Sequence, residues 1–203
     1  MKENIEIQIL NKIKKARRGS LFFTDNFISI SNSDAVRKAL ERLVKSGEIN
    51  RVATGIYVRP EIDSIIGPLT PNIESIAKAI AKRDKARIVP TGHYALNKLG
   101  LSPQVPMNPV FLTDGASRKV NVGNQIISFK KATPKNVATQ GEISGLAIQA
   151  LKTIGKENVT DEEIQKIRGA LQKEKPTYLI HDIRLAPEWI RQIIAPALNS
   201  KNL

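Results

Sequence analysis

The stretch from Ser33 to Pro60 constrains the fold more than any other part of this chain. Val36, Ala39, Leu40, Leu43 and Val44 recur at three- and four-residue spacing, with Asp34, Arg37, Lys38, Glu41, Arg42 and Lys45 between them. That pattern predicts a helix with one apolar stripe and one charged face. Ser33 is placed to cap it and Gly47 to close it. Immediately afterwards, Ile49 to Val52 and Ile56 to Arg59 read as two short β segments joined through Ala53-Thr54-Gly55, a hairpin with glycine where a positive φ is needed. Upstream, Ile5, Ile9, Ile13 and Ala16 predict a first helix from Lys2 to Arg17, stopped by Gly19, and a brief second helix or turn is expected between Thr24 and Ile30. Helix, short helix, helix, hairpin is the order of a winged helix-turn-helix. Residues 1–60 are therefore expected to form such a domain.

Residues 61–72 read as a linker, because Gly67-Pro68 and Pro71 interrupt any regular element. Residues 73–203 are expected to form a second, mixed α+β domain with a helical tail, so that the whole chain is α+β. Thr70-Pro71 opens a helix carrying Ile73, Ile76, Ala77 and Ile80 on one face, and Ala86 to Pro90 reads as a strand. A short helix, His93 to Leu99, ends at Gly100. Strands at Pro109 to Thr113, Arg118 to Val122 and Gln125 to Lys131 follow, the last two flanking Gly123-Asn124. From Glu142 onward the pattern is helical. Ile143, Ala147, Ala150, Leu151 and Ile154 share a face, Thr160 and Glu163 form a capping box, and further helical segments lie at Thr177 to Leu185 and Glu188 to Ile194. Trp189 is expected in the core of this tail.

Charge supplies the first functional indication. The 203 residues carry a net charge of +13, and the excess is uneven: residues 1–60 hold 12 basic against 6 acidic side chains, residues 61–140 hold 11 against 5, and residues 141–203 hold 9 against 8. A polyanionic partner accounts for this best, since each cation set against a phosphate releases counterions. A merely solubilising surface is the alternative. With no cysteine, disulfides and thiolate metal sites are excluded. No run of about 18 apolar residues is present, and the amino terminus lacks the pattern of a signal peptide, so a cytoplasmic protein is expected.

If Ser33 to Ser46 is a recognition helix, its amino-terminal residues meet the base edges. Asn32, Ser33, Arg37 and Lys38 are then the candidates for the major groove, with Arg37 able to pair two acceptors on guanine. Arg42 and Lys45 are placed for phosphate. In the hairpin, Arg51, Thr54 and Arg59 would contact backbone or minor groove, while Ile49, Ile56 and Val58 cover the core. Lys14, Lys15, Arg17 and Arg18 sit at the end of the first helix, where the dipole alone accounts for them. In the second domain, Thr91, His93, Tyr94 and Lys98, with Lys85 and Arg87 just before them, read either as a second phosphate or RNA surface or as a packed Tyr and His beside solvated lysines.

Three stretches carry a family resemblance: Arg18-Gly19-Ser20-Leu21-Phe22-Phe23, Ala35-Val36-Arg37-Lys38-Ala39-Leu40-Glu41-Arg42-Leu43, and Gly47-Glu48-Ile49-Asn50-Arg51-Val52-Ala53-Thr54-Gly55-Ile56-Tyr57-Val58. They resemble the amino-terminal domain of AbiEi-type antitoxins, and Thr91-Gly92-His93-Tyr94-Ala95-Leu96-Asn97-Lys98-Leu99-Gly100 is similar to the continuation in that family. The resemblance implies a winged-helix domain that binds the protein's own promoter as double-stranded DNA. It also implies a carboxy-terminal domain that counteracts a nucleotidyltransferase toxin without a tight complex.

Enzymatic readings need a constellation of reactive side chains. Only His93 and His181 are present. His181-Asp182 is similar to the paired ligands of metal phosphohydrolases but lacks further histidines, and a pair on a helix surface is the simpler reading. Ser20, Ser117 and Ser144 have no evident base partner, and Glu74, Asp84 and Asp114 do not stand at a spacing that singles out a metal site. No enzyme, cofactor or metal is expected.

Overall fold

The computed structural model describes residues 4–199. They form a mixed α+β protein in two compact units. The first unit ends at Ala79 and takes in Val120–Asn124; the second comprises Ile80–Lys119 and the chain from Gln125.

In the first unit, α1 (Ile5–Lys15) starts where the Asn4 side chain accepts the N–H of Glu6 at 3.0 Å, and it buries Ile9 and Ile13. The expected start at Lys2 lies outside the described residues, and the helix stops short of Arg17, at Lys15. Strand β1 (Leu21–Phe23) follows, then a 3-10 turn at Thr24–Phe27, where Asn26 Oδ1 accepts the N–H of Phe23 at 2.7 Å. Helix α2 (Ser33–Lys45) is capped by Asn32 rather than Ser33: Asn32 Oδ1 accepts the N–H of Ala35 at 2.9 Å, and Ser33 is the first helical residue. Its stripe of Val36, Ala39, Leu40 and Leu43 is wholly buried against Ile9, Ile13, Phe27, Ile49 and Tyr57. Strands β2 (Asn50–Ala53) and β3 (Ile56–Val58) form the expected hairpin, with Gly55 at φ +71° in its turn.

The sheet has a third member that periodicity does not reveal. Its order is β1-β3-β2, with Leu21 opposite Val58 and Phe23 opposite Ile56. A three-residue strand is too short to show alternation, and its pairing is non-local. The central position of β3 explains its uninterrupted Ile-Tyr-Val, since all three side chains are buried.

The linker reading of residues 61–72 is corrected. Glu61–Asp63 (β4) and Gly67–Leu69 (β5) pair antiparallel, and Asp63 Oδ1 closes their turn by accepting the N–H groups of Ile65 and Ile66 at 2.8 and 3.0 Å. Pro68 is accommodated because a two-stranded ladder leaves each strand an outer edge that needs no donor. Helix α3 (Ile73–Arg83) then begins behind Asn72, whose Oδ1 accepts the N–H of Ser75 at 2.8 Å.

The second unit holds β6 (Ile88–Thr91), β7 (Val110–Thr113), β9 (Gln125–Lys131) and the first two residues of β8 (Arg118–Val122), strands of one sheet in the order β6-β7-β9-β8. Strand β6 is antiparallel to β7 and β7 parallel to β9. Phe111 stacks on Phe129 with centroids 6.0 Å apart, and Tyr94 of α4 (His93–Lys98) meets Phe111 edge-on at 5.5 Å. The helical tail comprises α5 (Glu142–Ile154), α6 (Asp161–Leu171), α7 (Pro176–Ile183), α8 (Glu188–Ile194) and α9 (Pro196–Asn199). Helix α5 is its centre: every residue from Ser144 to Leu151 is buried. Leu151, Ile167, Leu171, Leu179, Ile190 and Ile194 form one cluster, with Trp189 half-buried against it. No described helix is long and apolar enough to cross a membrane.

Candidate nucleic-acid interface

Tyr57 of β3 packs in the same buried cluster as Val36, Ala39, Leu40 and Leu43 of α2. Tyr57 opposes Arg51 in the ladder. Its phenol is held above the ordinary tyrosine range, first by burial, with Arg51 pulling it down, Glu41 pushing it up and Arg37 pulling it down. Arg37 and Glu41 of α2 and Arg51 of β2 thus all act on one buried side chain, which packs in the same core as the apolar face of α2.

The nine expected contact residues divide by what already holds them. Ser33, Lys38, Lys45 and Thr54 are exposed, Thr54 at the hairpin tip, and among the described residues Lys38 and Lys45 make no ion pair. Arg37 is exposed and bonds Asp34 one turn back, Nη2 to Oδ1 at 3.0 Å. An exposed i,i+3 pair of this kind contributes well under about 1 kcal/mol, so a phosphate or guanine can displace it. Arg51 Nε makes a long bond to the carbonyl of Ala53, at 3.4 Å. Asn32 has its oxygen occupied as the cap of α2, which leaves its amide nitrogen as the donor it can offer.

Two arginines have structural work. Arg42 Nε donates to Glu6 Oε2 at 2.6 Å, tying α2 to α1, and Arg59 is half-buried with Nη1 donating to the carbonyl of Lys14 at 3.4 Å, in the last turn of α1. Both attachments bridge more than thirty residues and have no local sequence signature. Behind α1, Arg18 Nη1 donates to the carbonyl of Pro60 at 3.1 Å, and Arg17 stands 3.7 Å from Glu61 at the mouth of an open cleft of about 420 Å³.

The side chains considered for catalysis are committed elsewhere. Glu74 pairs with Lys78 at 2.7 Å; Asp84 pairs with Arg83 and Arg118; Asp114 accepts both the backbone N–H and Nε of Arg87, at 2.7 and 2.8 Å, which holds its carboxyl below the usual range. His181-Asp182 is not a pair on a helix surface. Asp182 is completely buried; its Oδ2 accepts the N–H of Gly141 at 2.9 Å and the hydroxyl of Ser144 at 2.5 Å, and its Oδ1 accepts the N–H of Gln140 at 2.8 Å and lies 2.7 Å from His181 Nδ1. Glu174 accepts the N–H groups of Ile143 and Ser144, at 2.8 and 3.2 Å. Two distant carboxylates thus cap α5, whose own N-cap, Gly141, has no side chain to do so. Ser144 donates to a carboxylate rather than to a histidine and is itself buried, so the trio lacks the order and access of a nucleophile with its base. Among the described residues no group of three or more His, Cys, Asp or Glu side chains is placed to hold a metal ion. Thr91 donates to Gln149 at 3.2 Å and Tyr94 packs on Phe111, so these two members of the second-domain set are held by packing.

A family model described as a family of unknown function, DUF6088, matches residues 8–179. The chain belongs to that family. Its match covers both units and most of the helical tail. No curated protein matches the chain. Among solved structures it is similar to the RV2827C protein from Mycobacterium tuberculosis, with a TM-score of 0.46 and 10% identity over 95% of this chain and 81% of that one. A likeness that distant carries no argument about function.

Proposed function

We propose that this DUF6088 member is a DNA-binding transcriptional regulator, not an enzyme, whose residues 1–60 act as a winged helix-turn-helix on double-stranded DNA. The observation that carries the reading is that α2 and the β2–β3 hairpin pack on one core through Tyr57 and each leaves basic side chains exposed. The apolar stripe of α2 is buried in the core, and Arg37, Lys38 and Lys45 are exposed, as are Arg51 and Thr54 of the hairpin. A helix of thirteen residues is long enough to lie in a major groove, and a short hairpin beside it reaches the flanking backbone. Arg37 and Lys38, with the amide of Asn32 and the hydroxyl of Ser33, are the base-reading group; Lys45, Arg51 and Thr54 are the backbone group. Arg42 and Arg59 orient α1 against the helix and hairpin.

In the proposal the regulator represses the operon that encodes it, and its second domain counteracts a nucleotidyltransferase toxin without a tight complex, as the AbiEi resemblance implies. A gel-shift titration against the upstream DNA and an equal-length scrambled duplex, at two salt concentrations, tests the first half. Preference for the upstream fragment is expected. Equal affinity for both duplexes, or none for either, rules out autoregulation. Co-expression with a neighbouring nucleotidyltransferase gene tests the second half by whether growth is rescued.

A further inference from the structure

We propose that the second unit carries its own contact surface for the backbone of duplex DNA, at one end of its four-stranded sheet. This surface is separate from the reading of α2 and does not depend on it. Between residues 80 and 135 the chain holds ten lysines and arginines against two acids. Strand register gathers most of them at one place. Arg87 directly precedes β6, whose Ile88 opposes Thr113 at the end of β7; Thr113 in turn opposes Lys131 at the end of β9. The N–H of Lys131 donates to Ser117 Oγ at 2.9 Å, so Arg118 and Lys119 open β8 at the same end, beside Lys130. The ion pair of Arg118 with Asp84 brings in the end of α3, with Arg83 and Lys85.

Both acids of this region are used up. Asp84 pairs with Arg83 and Arg118, and Asp114 with Arg87. They fix the arginines in place and leave the lysines unopposed. Lys85, Lys119, Lys130 and Lys131 are exposed and, among the described residues, make no ion pair. Lys85 is also costly where it stands. The bonds from the N–H of Ala86 to the carbonyl of Ala81 and from Lys85 to Lys82 close α3 with a Schellman motif, which puts Lys85 at φ +54°, a position that normally takes glycine or asparagine. A lysine held there at a local cost, beside three others, is what a phosphate-contacting patch requires.

The chemistry selects a duplex. Single strands are held by exposed aromatic faces on which bases stack, but here Phe111 and Phe129 are buried beneath the strands. A protein partner would need an apolar centre to its interface, whereas the exposed charges left without an ion pair here, Lys85, Lys119, Lys130 and Lys131, are all cationic. Lysines acting as point charges suit a backbone followed without regard to sequence.

The test uses the full chain with Lys85, Lys119, Lys130 and Lys131 all changed to Gln, titrated by fluorescence anisotropy against a scrambled duplex between 50 and 200 mM salt. At about 0.9 per phosphate contact, the slope of log affinity against log salt should become shallower by about 3 to 4. The double variants K85Q/K119Q and K130Q/K131Q should each give about half of that, and they keep the test decisive if the quadruple variant fails to fold. An unchanged slope in folded variants overturns the proposal. A parallel K38Q/K45Q variant separates the two surfaces: if it changes nothing while the sheet-end variants flatten the slope, the α2 reading fails and this one stands. Equal binding of poly-glutamate, or tighter binding of a single strand than of the duplex, overturns the assignment to duplex DNA.

Discussion

Replacing Asp182 by alanine should unfold the helical tail at much lower denaturant, although Asp182 is one carboxylate among the chain's nineteen acidic residues. The side chain is completely buried, accepts hydrogen bonds from the N–H groups of Gln140 and Gly141 and the hydroxyl of Ser144, and stands 2.7 Å from Nδ1 of the half-exposed His181. Gln140 is exposed and can turn to water. The Gly141 N–H and the Ser144 hydroxyl are buried and cannot, and each buried donor left without a partner costs about 1–3 kcal/mol. Relief of the carboxylate's own desolvation offsets part of this. A net loss of about 3 kcal/mol follows. The assay is urea unfolding read by the fluorescence of Trp189, which packs on the core cluster of the tail and so reports the unit that contains Asp182. That choice avoids assigning one free energy to a chain of two units. With a denaturant slope of about 1–3 kcal/mol per molar, the midpoint should fall by about 1–3 M. The internal standard is T160A, which removes an exposed local cap and should cost about 1 kcal/mol. If D182A costs no more than T160A at an unchanged slope, the long-range carboxylate is not what satisfies the start of α5.

Further outcomes are expected at the proposed DNA surface and in the fold that supports it. R37A should weaken binding of upstream DNA by about 1–3 kcal/mol and relax base preference, while K45A should weaken binding to all duplexes alike; quantitative gel shifts on a set of single-base operator variants distinguish the two. R42A should leave the salt dependence of DNA binding unchanged and lower stability by under about 1 kcal/mol, measured by thermal melting, because its guanidinium is occupied by Glu6 in a pair that is largely exposed. Asp114 titrates below the usual carboxylate range because Arg87 bonds its ionised form. Its contribution is therefore present above about pH 4 and lost as pH falls through its lowered value. D114N should be less stable than the parent at neutral pH, and the difference should vanish in strong acid, as followed by melting temperature against pH.

Much of the fold follows from local pattern. The stripe Val36–Leu43 gives α2 within a residue or two, Gly55 and Gly123-Asn124 mark two hairpins, and β8, β9 and α8 fall on their expected limits. Thr160 and Glu163 form their capping box as the spacing requires, each satisfying the other's N–H. These features are legible because their energetics are settled within a few residues. A helix shows its buried face every three or four positions, and a turn shows the glycine that its φ demands.

Other features depend on residues far apart in the chain. Strand β1 exists because Leu21–Phe23 finds β3, and β4–β5 closes through an aspartate turn in a segment that reads as a linker. The role of Arg42 is settled by Glu6, 36 residues away, and α5 is capped from 30 to 42 residues downstream. The glycine at its N-cap then makes sense through space, not φ: a Cβ there would meet the Glu174 carboxylate and the Ser144 hydroxyl. The chain's charge and periodicity by themselves determine a basic α+β protein with an amphipathic helix followed by a hairpin. Which cations face outward and which hold the fold, and where the lysines of the second unit gather, is decided only in the tertiary structure, because a charged side chain acquires its role from the partner that folding brings to it.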